Sequence, residues 1–529
     1  MPTFEFDLQK IKKELEIDNN EKIIEIIESF KPEVEEISDN KIKITITSDR
    51  IDLFFEEGFL KAIKDFVFGG SIKKIEMENS NVKVYYSSKV RCREFFSCFV
   101  VKNVSMNESL LRKIIEFQEI LHKYVGRNRK LVAIGIHDLD KIKGKIFYRE
   151  ALPNEKMIPL TYENEMTLKE ILEITDKGKE YRNLIYEPYP AIYDEESIIS
   201  FPPILNSEKT KLTVNTKNIF VDITGIDKRS VDIVTKILIY FFSFFGTPKK
   251  VYLNEKEFPE IDNEIIRIKR SEVNKILGLE LELEEIKRLL EKMGYEVITL
   301  NEEDIDVIIP YYRVDILHKR DVIEDIAIAY GYNNFELKEL RTITIGKIHE
   351  REEFENKIRE ILIGMKFLEV ITPTLINQKI LEKAKIKDKP TKLLNPVSEE
   401  YSVLRNYLFP SLLLFLSKNT SKEYPQNIFE IGYIVRDLEE YRSLAIALCY
   451  DKANLSEMIS VLEELFRNLK INFELKESNL EFFIEGRQAY IISNNKIIGF
   501  LGEIHPEILT NFEIFIPTII AEINISLLI

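Results

Sequence analysis

The sequence predicts an α+β protein of several domains. Two small, similar α/β modules flank a mixed α/β region, and an antiparallel sheet covered by helices follows them. The chain has 529 residues, which corresponds to about three to five domains at roughly 100–200 residues each. Residues 21–53 recur as residues 284–316 at a constant offset of 263 and without a gap. After about residue 345 the pattern changes to an amphipathic helix followed by short apolar strands.

Each copy of the repeat has the pattern of a helix, a strand and a turn. Apolar residues at helical spacing form one stripe, and apolar residues at every second position follow in a strand. An R-x-D turn comes next, with Arg50 and Asp52 in the first copy and Arg313 and Asp315 in the second. Two copies are too few for a solenoid, so the repeat predicts a duplicated domain.

The other two regions differ in the order of their elements. In the middle region, residues 131–137 (LVAIGIH) and 218–224 (NIFVDIT) are predicted strands and residues 110–124 a helix, which is typical of a mixed α/β domain. The C-terminal region is predicted to form an antiparallel sheet with helices on it. Its expected elements are a helix at 350–365 and strands at 367–371, 428–434, 442–450, 490–502 and 518–525.

Composition excludes several classes of protein. Hydrophobic residues make up 45% of the chain, which is enough for several cores, so global disorder is excluded. A net charge of −15 argues against binding nucleic acid over the whole surface, although residues 127–130 and 209–217 are locally basic. The first ten residues, MPTFEFDLQK, do not resemble a signal peptide, and the apolar run at 237–246 is shorter than the ~20 residues of a membrane span. We therefore expect a cytoplasmic protein without membrane contact.

Four carboxylates of the second copy are candidate metal ligands. Asp321, Glu324 and Asp325 lie at i, i+3 and i+4, so a helix places them on one face, and Asp315 precedes them in the R-x-D turn. A hard divalent cation such as Mg²⁺ would relieve the repulsion among them. The alternative is an ordinary solvated acidic face. The first copy has Gly58, Lys61 and Ala62 at the three helical positions, so the fold does not require these acids.

Asp222 and Thr224 are candidate residues for recognising a polar substrate. They alternate with apolar residues at the end of a predicted strand, and both side chains therefore point to one face. A buried acid beside a hydroxyl suits a hydrogen-bonding substrate. The alternative is turn chemistry, because Asp and Thr are also ordinary residues at strand ends.

Five motifs in register carry a resemblance that covers essentially the whole chain. They are YYRVDILHKRDVIEDIAIAYGYNN at 311–334, GIHDLDK at 135–141, SFPPILNS at 200–207, DITGID at 222–227 and FIEGR at 483–487. Together they resemble the β subunits of archaeal and eukaryotic phenylalanyl-tRNA synthetases. The resemblance implies an (αβ)₂ heterotetramer in which the α subunit holds the synthetic active site. The assembly would attach phenylalanine to tRNAPhe at the expense of ATP.

The resemblance also implies a domain order. The first repeat copy would form an N-terminal module at 1–88, and a tRNA-editing domain of the B3/B4 type would follow at 89–262. A B5-type module at 263–343, the second copy, would contact α. Residues 344–529 would form a non-catalytic domain with the antiparallel sheet of class II synthetases.

Roles for individual residues follow from the resemblance as well. Asp222 and Thr224 would form an editing pocket that hydrolyses mischarged Tyr-tRNAPhe, because an apolar phenylalanine pocket rejects an added hydroxyl only about 100-fold. The resemblance implies a magnesium ion shared with α at Asp315, Asp321, Glu324 and Asp325. Pocket walls are expected at Ser200, Pro203, Asn206 and Ser207. His137, at the end of a strand, receives no catalytic role.

The C-terminal region lacks the nucleotide-binding signature of class II synthetases. The strand at 428–432 (IFEIG) has Phe429 and Glu430 but no arginine beside them. Because the planar fork of an arginine binds phosphate through paired hydrogen bonds, its absence predicts that this region does not bind ATP. Residues 394–413 are instead expected to support heterodimer and tetramer assembly.

Two other functions stay open from the sequence. The chain could be an assembly scaffold without editing activity, in which case Asp222 and Thr224 would be dispensable. It could also be a stand-alone hydrolase of mischarged tRNA, but the repeat and the C-terminal region would then lack a purpose. The sequence gives the least support to a free-standing Mg²⁺ enzyme, because no nucleophile or phosphate-binding loop is recognisable near the four acids.

Overall fold

The computed structural model describes residues 2–38, 40–87, 90–339 and 344–528. The chain divides into two compact units, residues 1–338 and 339–529. The expected mixed α/β architecture with more than one domain is confirmed. The finer division into four domains stays a prediction. Among the described residues, no helix is long and apolar enough to cross a membrane.

The first module is a three-stranded sheet with helices packed on it. Its elements are β1 (Thr3–Asp7), α1 (Leu8–Leu15), α2 (Asn20–Ser29), β2 (Glu33–Ile37), β3 (Lys41–Thr45) and α3 (Glu56–Phe68). The strand order is β1-β3-β2, with every pairing antiparallel. Helix α2 begins at an Asn19 cap, whose side chain accepts hydrogen bonds from two backbone N–H groups of the first turn. The buried Ile23 and Ile27 form its inner stripe.

The middle region is built on a ten-stranded sheet. Its elements are β4 (Asn79–Tyr86), β5 (Phe95–Lys102), α4 (Glu108–Tyr124), β6 (Val132–Asp138), β7 (Ile146–Ala151), β8 (Lys156–Met157), β9 (Met166–Thr167), α5 (Leu168–Ile174), α6 (Asp176–Tyr181), β10 (Tyr189–Tyr193), β11 (Ile198–Phe201), β12 (Leu205–Asn206), β13 (Ile219–Gly225), α7 (Lys228–Phe242), β14 (Thr247–Leu253) and β15 (Lys256–Phe258). The order is β12-β11-β10-β7-β4-β14-β5-β13-β6, and β15 pairs with β14 outside that path, while β8 and β9 form a separate two-stranded sheet. Strand β4 lies in the range expected for the first module, yet it pairs with β14 and β7 of this sheet.

The second module repeats the topology of the first. Its elements are β16 (Glu264–Lys269), α8 (Arg270–Leu277), α9 (Leu283–Lys292), β17 (Glu296–Thr299), β18 (Asp304–Ile309) and α10 (Lys319–Tyr330). The strand order β16-β18-β17 matches β1-β3-β2. The likeness therefore extends beyond the recurring segment to a preceding strand and helix.

The two modules share one hydrophobic core although they are far apart in sequence. Buried residues of both modules, of α4 and of α7 form a single cluster. The backbone N–H of Gly70 donates to the carbonyl oxygen of Glu291 at 3.0 Å, which joins the two modules directly. Each fully buried Ile, Leu or Phe stabilises such a core by roughly 1.5–3 kcal/mol.

The C-terminal unit is a seven-stranded sheet with helices on both faces. Its elements are α11 (Glu350–Gly364), β19 (Leu368–Glu369), β20 (Leu375–Ile376), α12 (Gln378–Lys383), β21 (Val403–Leu404), α13 (Phe409–Lys418), β22 (Gln426–Arg436), β23 (Glu439–Cys449), α14 (Leu455–Leu469), β24 (Glu474–Glu477), β25 (Phe483–Ser493), β26 (Lys496–Ile504), α15 (Pro506–Asn511) and β27 (Thr518–Asn524). The order is β19-β22-β23-β27-β26-β25-β24, while β20 and β21 form a separate two-stranded sheet. The seven-stranded sheet is antiparallel except at its edge, where the expected antiparallel arrangement is wrong because β19 pairs with β22 in parallel. The buried apolar residues of α11 and α14 belong to one hydrophobic cluster of the unit, and those of α13 and α15 belong to another.

One expected strand of this unit is wrong. Residues 490–502 form a hairpin of β25 and β26 rather than one strand. The turn is at Asn494 and Asn495, whose φ angles are 50° and 60°. Asparagine tolerates this left-handed region, so the Asn-Asn pair was the turn signal between two apolar runs.

Candidate functional site

A cavity of about 450 Å³ lies in the middle region, between helix α4, strand β6 and the segment 200–206. Its walls are mostly apolar, and a few polar side chains converge on it. The apolar lining includes Leu111, Ile115, Ala133, Ile136, Leu160, Pro202, Pro203 and Leu205. The polar lining includes Gln118, Arg129, Ser200, Asn206 and Asp222. Apolar walls with few, placed polar groups are typical of a pocket for a small ligand or a side chain.

Asp222 reaches the cavity through the register of the sheet. Strand β13 pairs with β5 on one side and with the edge strand β6 on the other, so Asp222 lies opposite Gly135. A methyl group at position 135 would lie 2.0 Å from Asp222 Oδ2, so glycine leaves the space that the carboxylate occupies. Asp222 is almost fully buried, with 1% exposure, yet it lines the cavity.

His137 lies directly behind Asp222. Its Nε2 is 2.8 Å from Asp222 Oδ2, and its Nδ1 is 2.8 Å from Thr210 Oγ1. Neither His137 nor Thr210 lines the cavity. The sequence indicated only a histidine at a strand end. The pairing register that brings it to Asp222 depends on the tertiary structure.

Helix α4 holds the edge strand β6 in place by two hydrogen bonds to Ile134. The Nε2 amide of Gln118 donates to the Ile134 carbonyl oxygen at 2.8 Å, and the Ile134 N–H donates to His122 Nε2 at 2.8 Å. Because His122 Nε2 accepts, its Nδ1 carries the proton and donates to Glu119 Oε1 at 3.2 Å. Burial lowers the pKa of His122 to about 4, so its imidazole is neutral at pH 7.

Arg129 connects this helix to the opposite wall of the cavity. Its Nη2 donates to Glu119 Oε1 at 2.7 Å, and its Nη1 donates to the carbonyl oxygens of Pro203 and Ile204 at 3.2 and 2.9 Å. The hydrogen bond from His122, and then the charge of Arg129, outweigh burial and lower the pKa of Glu119 to about 2. The Nε of Arg129 has no hydrogen-bond partner among the described residues.

Sequence reasoning missed Gln118 and Glu119 as cavity residues and His122 as their buried neighbour on α4, and it noted Arg129 only as part of a basic stretch. Their signal is weak because a polar residue on an amphipathic helix is ordinarily a solvated one. The edge position of β6 explains why Gln118 and His122 face the sheet instead of solvent. It leaves the backbone groups of Ile134 without a strand partner, and such groups require another donor and acceptor.

Three of the four expected pocket walls line the cavity, namely Ser200, Pro203 and Asn206. The side chains of Ser200 and Asn206 are hydrogen-bonded to each other at 2.9 Å. Ser207 does not line the cavity, because its hydroxyl donates to the Ile158 carbonyl oxygen at 3.0 Å.

Thr224 is buried outside the cavity lining, although it is on the same side of β13 as Asp222. The Nε of Arg93 donates to Thr224 Oγ1 at 3.2 Å, and its Nη2 donates to the Thr224 carbonyl oxygen at 2.8 Å. Arg93 is fully buried, and burial lowers its pKa to about 10. Its Nη1 also donates to the Arg129 carbonyl oxygen at 3.2 Å. Thr224 therefore contacts Arg93, a buried arginine that does not line the cavity.

The four candidate metal ligands divide among three separate interactions. Asp315 accepts two hydrogen bonds from Arg313, at 2.9 and 2.8 Å, in the R-x-D turn. Asp325 Oδ2 accepts from Arg313 Nη2 at 2.6 Å and from the Tyr295 hydroxyl at 2.5 Å. Burial alone would raise the pKa of Asp315, but the charge and hydrogen bonds of Arg313 outweigh it and lower that pKa.

The remaining two acids do not approach Asp315 and Asp325 as ligands. Asp321 Oδ2 accepts from the backbone N–H groups of Leu317 and His318 and completes a capping box at the start of α10. Glu324 is half exposed and lies 3.7 Å from Lys31 Nζ of the first module. Among the described residues, no group of three or more His, Cys, Asp or Glu side chains is placed to hold a metal ion. The four residues as placed therefore do not fit a magnesium site.

In the C-terminal unit, Glu430 forms a buried ion pair with an arginine from outside its strand. Arg405 Nη1 lies 2.8 Å from Glu430 Oε1, and each side chain is 2% exposed. The Thr372 hydroxyl donates to Glu430 Oε2 at 2.6 Å. The strand at 428–432 contains no arginine, but Arg405 from another segment pairs with Glu430 in the protein interior. Arg405 is therefore a structural partner of Glu430.

Three family models match consecutive parts of the chain. The B3/4 domain matches residues 107–241. The tRNA synthetase B5 domain matches residues 266–332, and the phenylalanyl tRNA synthetase beta chain CLM domain matches residues 340–525. The cavity lies within the first of these matches.

Whole-length relatives agree with these models. A phenylalanine–tRNA ligase β subunit of Archaeoglobus fulgidus is 37% identical over 509 residues, covering 93% of each chain. That of Pyrococcus furiosus is 38% identical over 508 residues, covering 92% of this chain and 91% of the relative. The solved N-terminal fragment of the Pyrococcus horikoshii phenylalanyl-tRNA synthetase β subunit is 34% identical, with a TM-score of 0.58. It covers 62% of this chain and 99% of the fragment. The resemblance seen in the sequence is confirmed, and the chain belongs to the family of phenylalanine–tRNA ligase β subunits.

Proposed function

We propose that this chain joins an α subunit in a cytoplasmic (αβ)₂ phenylalanine–tRNA ligase and hydrolyses mischarged Tyr-tRNAPhe at the Asp222 cavity. The synthetic reaction, ATP-dependent attachment of phenylalanine to tRNAPhe, would take place in α. The observation that supports the hydrolytic part is a buried carboxylate in the lining of a mostly apolar cavity of about 450 Å³.

Such a cavity distinguishes tyrosine from phenylalanine by one hydrogen bond. The ring of either side chain would contact the apolar walls, and the tyrosine hydroxyl would donate to Asp222. A phenylalanine ring would bring no donor to the cavity side of this carboxylate, where the hydrogen bond to His137 behind it is no substitute. Sites that hydrogen-bond a substrate hydroxyl reject the analogue without it by about 10⁴–10⁵-fold, far more than an apolar pocket achieves.

Candidate donors for the reacting ester line the same cavity as Asp222. Arg129 lines the cavity, and its buried Nε has no acceptor among the described residues, so a shift of this side chain toward the cavity would let the Nε donate to an ester carbonyl oxygen. Donors aimed at the oxygen on which charge develops lower the barrier to ester hydrolysis. Asn206, whose Nδ2 donates only a long bond of 3.4 Å to the Ile136 carbonyl oxygen, is a second candidate donor. Lys177 and Lys211 also line the cavity and would favour a polyanionic substrate.

The C-terminal unit and the second module would serve assembly. Leu394 and Val397 are almost fully exposed apolar side chains in the segment 394–413, which supports a role in contacting α. A magnesium ion shared with α stays part of the proposal for the assembled enzyme only. In this chain Asp315 and Asp325 are held by Arg313, so we assign the ion no step in the reaction.

The deciding experiment offers Tyr-tRNAPhe and Phe-tRNAPhe to the chain alone and to its complex with α, and follows deacylation. Selective loss of the tyrosyl ester, reduced in Asp222→Ala and retained in the matched Asp232→Ala variant of α7, supports editing at this cavity. Activity of the chain without α would favour the stand-alone hydrolase. Equal stability of both esters in both samples would leave an assembly scaffold and would defeat the editing proposal.

A further inference from the structure

Three buried side chains form a line that ends at the cavity. Thr210, which follows β12, is hydrogen-bonded to His137 of β6, and His137 is hydrogen-bonded to Asp222 of β13. Their exposures are 1%, 0% and 1%, and only Asp222 lines the cavity. Three separate segments of the chain contribute these groups, so the line exists only in the folded protein.

For a neutral imidazole, the hydrogen-bonding capacities of these groups leave two arrangements of the protons. A carboxylate only accepts, and a neutral imidazole donates from one nitrogen and accepts at the other. With Asp222 ionised, His137 donates from Nε2 to Asp222, and the Thr210 hydroxyl donates to Nδ1. In the opposite arrangement Asp222 would be protonated and would donate to Nε2. It would then be a poorer acceptor for a group in the cavity.

A second feature supports the first arrangement. The Thr210 hydroxyl has no side-chain partner other than His137 among the described residues, so it is free to donate its proton to Nδ1. The Gly135 position leaves room for the Asp222 carboxylate beside the imidazole, at the point where a methyl group would lie 2.9 Å from His137 Nε2. A buried carboxylate is stabilised by such a donor, which replaces part of its lost hydration.

We propose that His137 and Thr210 are positioning residues that fix Asp222 as a hydrogen-bond acceptor, and that they thereby set the selectivity of the cavity for a phenol-bearing aminoacyl ester. This inference rests on the proposed editing function. Neither residue touches the substrate. They act on the orientation and charge of the Asp222 carboxylate, which accepts the hydrogen bond from the phenol hydroxyl.

Three threonine variants test the role of the hydroxyl. In the α-bound enzyme we expect Thr210→Val, which keeps the shape and removes the hydroxyl, to lower the ratio of kcat/KM for the tyrosyl over the phenylalanyl ester. The loss of one neutral hydrogen bond corresponds to about threefold to tenfold, and we expect it chiefly in KM for the tyrosyl ester. Thr210→Ser should retain the ratio. Thr216→Val, which removes another buried hydroxyl, bonded to Asp138, should also leave it unchanged.

The possible outcomes separate this inference from the proposed function. An unchanged ratio in Thr210→Val, or an equal loss with both esters, would overturn the positioning role while editing stands. A wild-type enzyme that deacylates neither ester would overturn both. The ratio should fall in Thr210→Val alone if the inference is correct.

The tautomer of His137 gives a readout that is independent of deacylation. The chain has five histidines, so selective ¹⁵N labelling yields few signals, and the signal lost in His137→Gln identifies this one. We expect protonated Nε2 and unprotonated Nδ1 in the wild type, with the Nδ1 resonance shifted in Thr210→Val. A protonated Nδ1 with unprotonated Nε2 would contradict the proposed proton positions.

Discussion

Gly135 of β6 lies directly across from Asp222 of β13, and a Cβ atom at position 135 would be 2.0 Å from Asp222 Oδ2. The same atom would be 2.9 Å from His137 Nε2. Neither neighbour can withdraw easily, because both side chains are buried and hydrogen-bonded to each other. The absence of a side chain at one position of the edge strand therefore determines where the carboxylate of the cavity lies.

Gly135→Ala is expected to impair editing more than folding. Overpacking of this kind costs about 1–3 kcal/mol of the free energy of unfolding. Displacement of Asp222 from the cavity should lower the deacylation rate of Tyr-tRNAPhe by about tenfold or more, since each ~1.4 kcal/mol of lost binding is tenfold. Deacylation kinetics and urea unfolding measure the two effects. Gly364→Ala, at an exposed helix position with no atom within 4 Å, is the matched control. Normal editing in Gly135→Ala would show that Gly135 does not determine the position of the Asp222 carboxylate.

The buried His122 predicts that stability decreases at mildly acidic pH. Its pKa is lowered to about 4 in the folded chain, so between its ordinary value of 6.5 and about 4 the unfolded state binds a proton that the folded state does not. The stabilisation is fully present above pH 6.5 and is lost as the pH falls to about 4, by on the order of 3 kcal/mol. The pKa of Glu119 is lowered to about 2 in the folded chain, so its protonation causes a further loss of stability as the pH falls below 4.5.

The pH dependence is measured by urea unfolding at several pH values between 7 and 4 for wild type and His122→Gln. The variant should show a flatter decrease of the free energy of unfolding. His349→Asn, a change at an exposed helix cap, should keep the slope of the wild type. A slope identical in wild type and His122→Gln would disprove the assignment of this titration to His122.

Arg313 is expected to be the most sensitive position of the second module. It is buried and bonds both Asp315 and Asp325, so Arg313→Met leaves the buried Asp325 and the partly buried Asp315 without their hydrogen-bonded cation. Breaking a buried ion pair from one side costs about 3–5 kcal/mol. Glu324→Gln, at a half-exposed position, should change the free energy of unfolding by less than about 0.5 kcal/mol. Equal, small effects of both substitutions in urea unfolding would contradict the central role of Arg313.

Magnesium is expected to have no effect on the chain without its partner. Because Arg313 and the α10 cap occupy three of the four acids, millimolar Mg²⁺ should leave the unfolding midpoint of the isolated chain unchanged. Thermal unfolding with Mg²⁺, and with EDTA as the control, measures this. A midpoint that rises with Mg²⁺ and no longer rises in Asp321→Asn would show that these acids form a metal site without α.

The buried pair Arg405–Glu430 is expected to contribute to stability through both of its members. Arg405→Met alone leaves Glu430 buried without a cation, and we expect a loss of about 3–5 kcal/mol. The double variant Arg405→Met/Glu430→Gln should recover part of that loss, because the uncompensated charge is gone. A double-mutant cycle from urea unfolding gives the coupling. Additive effects of the two substitutions would show that the pair is not an interacting unit.

Local patterns in the sequence determined much of this fold. The helical stripe and alternating strand of the repeat predicted elements that occur in both modules, since periodicity follows from the geometry of helix and strand. The alternation of residues 218–224 likewise indicated that Asp222 and Thr224 share one side of β13. Family motifs added Ser200, Pro203 and Asn206, which do line the cavity.

Tertiary structure decided what each of these residues contacts. Asp222 lines the cavity and Thr224 bonds the buried Arg93, although both alternate on the same strand. The three acids at helical spacing have different partners, because Asp325 is bonded to Arg313, Asp321 completes the α10 cap and Glu324 faces Lys31. A sequence pattern specifies the face on which a side chain lies, but hydrogen-bond partners and burial come from segments distant in the chain. The pairing of β6 with β13, which brings His137 to Asp222, is such a long-range contact, and no local periodicity encodes it.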